Sequence, residues 1–462
     1  MKHYRVFWPT AFLAMVLPVL AAGFGANQYG TLTGVVRDDH TKEPLVGAIV
    51  RIEGTALGTT TDNKGRYLLP YVHVGVHRVR ISYFGYRTVV IRDIVVLQGL
   101  RTTVDVEMVV EPLELEAVEI RAERPLIQRD LASTTYAIGA LQIERLPVST
   151  YGEVVGLQPG TTLEGNIRGS RVSETGLFID GLPMSDPILG AGSITLPRSS
   201  MAGITIVTGG FEAEYGNAQS GIVQILTSRA ASIPVFRVRV ERDSWFPGNF
   251  YTAHSRWMEA EVSASGPIMP DRVSGFAALQ VHTEGTRWWQ DFDQAGITSP
   301  LQDLSGVGKV DWNISPTTEA NVHVVGGLRR WRDYEFSWRY NLLGLPERRN
   351  SFFRASASLT QTFGDRNLAS LVVAYNRQSG QIGPEHREDV SLVPYQYDFF
   401  LQYIVEGSRA WRASMTHQTM TLKGDVHHQE GEHSLKAGVM ADFFDIRSDV
   451  LKVEPQLTYY GK

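Results

Sequence analysis

Two residue pairs have the spacing with which proteins hold zinc. In His40-x-x-Glu43 and in His427-x-x-Glu430, an imidazole precedes a carboxylate by three positions. A catalytic zinc needs three protein ligands that converge in a sheltered cleft, with further groups to orient them. The sequence offers no third ligand for either pair, and both pairs fall in predicted turns. We therefore predict no metal site and no cofactor.

The second pair belongs to a larger polar cluster near the end of the chain. Two interpretations fit this cluster, a surface metal site and the solvated tip of a hairpin, and we favour the hairpin tip. Its members are His427, His428, Glu430, Glu432 and His433.

Motifs of enzymes are missing from the sequence. It contains no Gly-x-Ser-x-Gly elbow, no phosphate-binding loop and no His-Glu-x-x-His motif. The absence of cysteine excludes disulfides, thiolate zinc sites and cysteine nucleophiles. With 44 Lys and Arg against 49 Asp and Glu, the formal charge is -5, which does not suit a nucleic-acid partner. We predict a protein that is not an enzyme and binds no nucleic acid.

The amino terminus has the pattern of an export signal. Lys2, His3 and Arg5 precede the uncharged stretch Val6–Ala22, and small residues follow. An anchoring helix is the alternative, but Pro9 and Pro18 would interrupt it. We predict a signal peptide over residues 1–26. Export without cysteine indicates a bacterial envelope protein.

Residues 27–111 alternate between apolar and polar positions in short runs that are separated by turn signals. This pattern predicts an antiparallel β-sandwich. Four motifs resemble the carboxypeptidase-regulatory-like, transthyretin-like domain, and the resemblance implies a binding or spacer module without catalysis. The motifs are Gly34-x-Val36, Pro44-Leu45-Val46-Gly47-Ala48, Thr61-Asp62-x-x-Gly65-x-Tyr67 and Tyr83-Phe84-Gly85-Tyr86.

Residues 112–125 form an acidic segment between prolines. A charged linker is the simpler interpretation. The half-alternating pattern also suits pairing with the sheet edge of another chain. By its position and its acidic-aliphatic composition, the segment resembles the TonB box of TonB-dependent outer-membrane receptors. The residues concerned are Leu115, Glu116, Ala117, Val118, Glu119 and Ile120.

Residues 126–230 carry the strongest family signal. Short helices are predicted at Ala137–Leu146 and from Tyr151 to Pro159, and buried strands at Ile204–Val207 and Ile222–Leu226. The order of the motifs resembles the plug domain of a TonB-dependent receptor, although Gln224 stands where the family more often has Asn. The motif residues are Arg168, Gly169, Asp180, Gly181, Gly209, Gly210, Glu212, Tyr215 and Gly216.

The residue types of the plug motif predict mostly structural roles. The glycines suit tight turns, and Asp180-Gly181 suits a hairpin turn better than a ligand site. Arg168, Glu212 and Glu214 are candidates for a buried charge network, since charges inside a closed lumen are costly unless they are paired. In the family, such contacts help to fasten the plug to the barrel wall.

Residues 231–462 alternate over segments of about ten residues, which is the pattern of a transmembrane β-barrel. Phe353, Ala355 and Leu359 alternate with Arg354 and Ser356, for example. A soluble sandwich with an apolar inner face gives the same alternation, and the preceding plug-like domain favours the membrane. The sequence suggests about ten strands, too few to enclose a plug, since plugged transporters use about 22. We expect the chain to be the N-terminal part of a longer receptor or a truncated gene product.

The predicted fold class is mainly β: a transthyretin-like sandwich, an α+β plug domain and a partial antiparallel transmembrane β-barrel. The resemblance implies a receptor in the bacterial outer membrane that takes up a siderophore, glycan or peptide with energy from TonB. Its implied partners are TonB on the periplasmic side, outer-membrane lipid and an unknown extracellular ligand, with a surface lipoprotein as a further candidate. An exported β-rich adhesion or scaffold protein without transport activity is the alternative.

Overall fold

The computed structural model describes residues 29–452 with short gaps. The predicted signal peptide lies outside the described residues. So do three residues of the TonB-box-like segment, Leu115, Glu116 and Ala117. The gaps are residues 54, 56, 97–100, 111–117, 122–133, 147, 163–165, 172–173, 185–193, 211–214, 216–217, 244–256, 271, 298–299, 365, 392–394 and 431–432.

The N-terminal part is a β-sandwich, as predicted, but it is not wholly antiparallel, because β7 and β8 run parallel to β1. One sheet has the order β4-β1-β7, with β8 also pairing with β1, and the other has the order β3-β2-β5-β6-β9. Alternate residues of β1, such as Leu32 and Val36, are fully buried in the core between the sheets. The strands are β1 (Tyr29–Asp38), β2 (Ile49–Ile52), β3 (Gly58–Thr60), β4 (Arg66–His73), β5 (Gly75–Ser82), β6 (Val89–Val96), β7 (Arg101–Thr103), β8 (Val106–Met108) and β9 (Val118–Arg121).

Strand β9 comes from the segment that the sequence assigned to a linker. Val118, Glu119 and Ile120, with Arg121, run parallel to Val89–Arg92 of β6. The strand therefore extends the second sheet of the sandwich, and it lies at an edge of that sheet.

A central α+β domain follows, with a sheet in the order β10-β13-β14-β11-β12. The predicted buried strands are confirmed, and every residue of β14 is buried. The first predicted helix begins later than expected, because Ala137 to Gly139 pair with β13 as part of β10. The elements are β10 (Thr134–Gly139), α1 (Ala140–Arg145), α2 (Tyr151–Gly156), β11 (Thr175–Ile179), β12 (Leu182–Pro183), β13 (Met201–Thr208) and β14 (Gly221–Thr227).

Among the described residues that follow, nine strands form an antiparallel sheet, which we call the wall. Its order is β15-β16-β17-β18-β19-β20-β21-β24-β25, and a separate hairpin, β22–β23, stands outside it. The strands are β15 (Val235–Arg242), β16 (Met258–Met269), β17 (Val273–Glu284), β18 (Leu301–Ser315), β19 (Thr318–Arg332), β20 (Glu347–Phe363), β21 (Asn367–Ile382), β22 (Gln396–Asp398), β23 (Tyr403–Glu406), β24 (Trp411–Glu430) and β25 (His433–Lys452).

The two faces of the wall differ as the alternation predicted. Phe353 is 44% exposed on one face, whereas its neighbour Arg354 is 1% exposed on the other. The inner face packs on the central domain, and Phe276, Val307 and Val325 of the wall share one hydrophobic core with it. Polar inner residues are therefore buried against protein, while the apolar outer face remains uncovered.

The two ends of the wall also differ. Connections of two or three residues join the strands at one end, at 270–272, 316–317, 364–366 and 431–432. At the other end the connections are longer, and one carries a helix, α3 (Trp289–Gln294). Within the described residues, none of the helices has the length and apolar composition of a bilayer-spanning segment.

Residues of the long connections pack together into a small hydrophobic cluster, which we call the loop cap. Its buried members are Phe292, Trp338, Leu342, Leu345 and Ile404.

Candidate functional site

A tight turn of the central domain reaches the inner face of the wall. Strands β11 and β12 pair at Ile179 and Leu182, so that Asp180 and Gly181 form a two-residue turn. Both turn residues have positive φ, 50° and 75°. This geometry suits a type I′ hairpin, which favours Asp-Gly because each residue must adopt a left-handed conformation. The predicted hairpin is confirmed.

The Asp180 side chain is buried between the central domain and the wall. Its Oδ1 accepts from the backbone N–H of Thr227 at 2.9 Å, and its Oδ2 accepts from the Thr227 hydroxyl at 2.5 Å. Lys309 Nζ of β18 lies 3.5 Å from Oδ2, and His323 Nδ1 of β19 lies 3.1 Å from it. Burial alone would raise the pKa of Asp180, but Lys309, His323 and Thr227 together hold it well below its usual range. The carboxylate is therefore ionised and paired with the wall.

Donors from the wall also satisfy backbone carbonyls of the same hairpin. Arg354 Nη2 donates to the carbonyl of Ile179 at 3.0 Å, and its Nη1 donates to that of Leu182 at 3.4 Å. Gln378 Nε2 donates to the carbonyl of Met184 at 2.9 Å. A buried carbonyl without a donor is costly. The hairpin is thus held by charge and by hydrogen bonds from β18, β19, β20 and β21.

A second contact between the two parts surrounds a short helical turn at residues 198–200. The Arg198 backbone N–H donates to Gln280 Oε1 at 3.0 Å, and that of Ser199 donates to Glu261 Oε1 at 3.0 Å. The Arg198 guanidinium lies 3.2 Å from Glu241 and 3.7 Å from Glu259. This turn is therefore a second place at which the central domain is fastened to the wall.

The sandwich contacts the short-turn end of the wall through aromatic side chains. Tyr71 Oη donates to the backbone carbonyl of Arg366 at 2.9 Å, and the Tyr71 ring meets His427 edge-on at 6.4 Å. Tyr29 packs on His73 with ring centroids 4.5 Å apart. The sandwich is thus docked on the rim of the wall.

Arg229 joins all three parts at this rim. It follows β14, and its guanidinium donates to His73 Nδ1 and to Glu319 and lies 3.4 Å from Asp311 Oδ1. His73 Nε2 lies 2.8 Å from Glu319 Oε2. Burial and the Arg229 charge lower the pKa of His73 by more than Glu319 raises it. The imidazole is therefore neutral, accepting from Arg229 and donating to Glu319.

Two family models match the chain. The carboxypeptidase regulatory-like domain matches residues 31–109, and the TonB-dependent receptor plug domain matches residues 127–223. The chain carries the domains of a TonB-dependent receptor. The central domain is the matched plug domain, and the wall has the fold of a partial β-barrel around one side of it.

Individual proteins that the chain resembles agree with the family models. The TonB-dependent transporter Oar of Myxococcus xanthus is 29% identical over 285 residues, 56% of this chain and 26% of the relative. A mutant of the ferric enterobactin receptor PfeA from Pseudomonas aeruginosa is 16% identical, with a TM-score of 0.51 over 68% of this chain and 49% of that chain. The siderophore receptor PirA from Acinetobacter baumannii is 15% identical, with a TM-score of 0.50 over 68% and 48%.

The chain spans about a quarter of the curated relative and about half of these solved structures. The expected outer-membrane location is confirmed by the family of these relatives. In outer-membrane barrels, short turns face the periplasm and long loops face the outside. The sandwich therefore lies on the periplasmic side of the receptor, and the loop cap lies on the extracellular side.

Arg168, which was predicted to belong to a buried charge network, is not buried. This residue is exposed, has a φ of 53° and donates to Thr134 Oγ1 at 3.3 Å. Glu212 and Glu214 lie outside the described residues. The buried charge of the hairpin is instead that of Asp180, which the sequence assigned to a turn alone.

The other plug motif residues lie at turns or in packing contacts. Gly169, Gly209 and Gly210 have positive φ values of 75°, 96° and 67°, in agreement with the turn geometry predicted for them. Tyr215 packs edge-on against Phe178, and its hydroxyl accepts from Gln224. Gly216 lies outside the described residues.

The two histidine pairs differ from each other. His40 lies in a turn, as predicted, and its backbone N–H donates to Asp38. His427 lies inside β24 and is 8% exposed, so the prediction of a solvated hairpin tip is wrong for this residue. It lies there because the strand continues to Glu430 and turns its inner face towards Tyr71. Among the described residues, no group of three or more His, Asp or Glu side chains has the arrangement of a metal site.

Sequence reasoning missed Lys309, His323 and Arg354 as contacts of the plug. The alternation of the strands could have identified them. Each is a charged or titratable residue at an inward-facing position, and burying such a residue is costly unless it has a partner.

Proposed function

We propose that this outer-membrane receptor takes up an extracellular ligand with energy delivered by TonB. The observation that carries the proposal is the Asp180 hairpin, which is seated in the wall by polar contacts. Polar contacts at a protein–protein surface can exchange with water, whereas a purely apolar core cannot be opened so easily. A plug held by such contacts can stay in place at rest and move when TonB pulls on it.

The position of β10 supports a pulling mechanism. It is the first described strand of the plug, and within the described part of the plug sheet it lies at an edge, next to β13. A pull on the preceding segment would load this edge strand first. The strand pairs β13 over six residues, so it can be peeled from the sheet without first breaking the Asp180 contacts.

The predicted TonB contact is the segment Leu115–Ile120. An extended segment adds to a sheet edge through backbone hydrogen bonds, and its acidic and aliphatic side chains give selectivity. A surface lipoprotein remains a further predicted partner.

The ligand belongs to one of three proposed classes: a siderophore, a glycan or a peptide. Exposed rings on the extracellular side support a ligand with flat or apolar surfaces. Phe336 and Tyr340 are both more than half exposed and both contact the ring of Tyr403, while Trp288 stacks on Tyr334 with centroids 4.3 Å apart.

Replacing Leu115–Ile120 by a Gly-Ser segment of equal length tests the proposal. The gene is first deleted, and growth on defined iron and carbon sources identifies a compound whose use depends on it. The replacement should abolish energised uptake of that radiolabelled compound and leave its binding to cells unchanged. Unchanged uptake would refute the TonB assignment. Loss of adhesion without any nutrient phenotype would favour the adhesion or scaffold alternative.

A further inference from the structure

Strand β9 occupies the end of the segment on which TonB is proposed to act. Its four residues pair in parallel with Val89–Arg92, and Val90 and Glu119 are Cα partners. The part of the predicted TonB contact that the structure describes, Val118–Ile120, is therefore already paired in a sheet.

The sandwich that holds β9 is itself fastened to the wall. Tyr71 bonds to the turn at Arg366, and His73 lies between Arg229 and Glu319. Strand β6 belongs to the core of this sandwich, with Val89, Ile91 and Ile94 all buried. A load on β9 would pass through β6 into the sandwich, and from there to the wall and to Arg229 at the rim. It would not reach β10, the first described strand of the plug.

We infer that β9 is a latch, which must separate from β6 before a pull by TonB reaches the plug. This inference rests on the proposed function. The chain between residues 121 and 134 can extend to at most roughly 45 Å, so β10 of the plug is loaded only after β9 is free and this stretch is fully extended. The carboxypeptidase regulatory-like domain would then set a threshold for opening.

The strength of the pairing between β9 and β6 is compatible with a force threshold for opening. Four paired residues give only a few backbone hydrogen bonds, each with a net contribution of about 1 kcal/mol. The ladder is thus much weaker than the sandwich core, and β9 should separate while the sandwich stays folded on the rim.

A reversible crosslink tests the latch. Partners in adjacent strands lie about 4.8 Å apart, within the range that a disulfide can bridge, and the chain has no cysteine of its own. The double variant Val90→Cys/Glu119→Cys should form a disulfide in the resting receptor. The control is Arg51→Cys/Arg80→Cys, which joins exposed Cα partners of β2 and β5 and leaves β9 free.

The purified receptors, in nanodiscs, are pulled by single-molecule force spectroscopy through the periplasmic domain of TonB. In the oxidised latch variant, the frequency of plug unfolding before the TonB complex ruptures should be at least tenfold lower than in the unmodified receptor. Reducing the disulfide should restore the normal frequency. The oxidised control should behave like the unmodified receptor. Failure of the disulfide to form, or plug unfolding at the normal frequency in the oxidised variant, would overturn the latch. If TonB forms no tether with the unmodified receptor, the proposed function fails and the latch fails with it.

Discussion

Lys309 of the wall places its ammonium nitrogen 3.5 Å from the Oδ2 of Asp180 in the plug, and both side chains are almost completely buried. An isolated charge of either sign would be costly at this depth. The pair therefore contributes to the docking of the plug on the wall. Its loss should weaken this docking before it lowers the stability of either domain alone.

Asp180→Asn should weaken plug docking strongly. The amide keeps the size of the side chain and suits the turn, but it removes the buried negative charge that Lys309 and His323 face. We expect the free energy of plug opening, measured by hydrogen exchange in urea, to fall by about 3–5 kcal/mol.

The matched control is Glu144→Gln. Glu144 of the plug pairs with Arg237 of the wall at 2.5 Å, but both side chains are over one third exposed. An exposed pair contributes about 0–1 kcal/mol, so this variant should stay close to the unmodified receptor. Equal effects of the two substitutions would contradict the role given to Asp180.

The sandwich should dock more weakly in mild acid. The pKa of His73 is lowered from 6.5 in the docked state, so the undocked state binds more protons below pH 6.5. Docking is therefore fully stable above about pH 6.5 and loses at most about 1.4 kcal/mol per pH unit as the pH falls towards the depressed pKa. The groups that face His73 are Arg229, Glu319, Asp311, Tyr29 and His77.

Limited proteolysis of the receptor between pH 8 and pH 5.5 can measure this dependence. His73→Gln should remove it, whereas His40→Gln, at an exposed position of the same domain, should not. Asp180 adds no pH dependence in this range, because its pKa is lowered from an already acidic value. Sandwich release that is independent of pH would contradict the neutral state of His73.

Trp338→Ala should open the loop cap selectively. Trp338 is fully buried, meets Tyr395 edge-on at 5.2 Å and lies under the guanidinium of Arg409. Truncation of a buried tryptophan costs about 3–5 kcal/mol, which should appear as faster hydrogen exchange in α3 and the β22–β23 hairpin. Phe400→Ala, at a fully exposed ring, is the control. Faster exchange throughout the wall would contradict an independent loop cap.

Much of the fold could be predicted from local sequence patterns. The alternation of Phe353 and Arg354 predicted the two faces of the wall, and the apolar run Ile222–Leu226 predicted a buried strand. The turn at Asp180-Gly181 was predicted because its residue types fit one turn geometry. Each of these features depends on neighbours a few positions away.

Features that depend on distant partners could not be predicted. Strand β9 pairs with residues 29 positions earlier in the chain, and four acidic-aliphatic residues contain no sign of that partner. Arg229 likewise has no local pattern that points to His73 or Glu319. The partner of Asp180 lies more than a hundred positions away, at Lys309, so the sequence predicted the turn but not its contact with the wall.

The orientation of the receptor in the outer membrane is the central claim, and cysteine labelling tests it most directly. Phe400 at a long loop and Phe84 in the sandwich are both almost fully exposed, and the cysteine-free chain gives no background. A membrane-impermeant maleimide should label Phe400→Cys in intact cells, and should label Phe84→Cys only after the outer membrane is permeabilised. Equal labelling of the two variants in intact cells, or labelling of Phe84→Cys alone, would contradict the account.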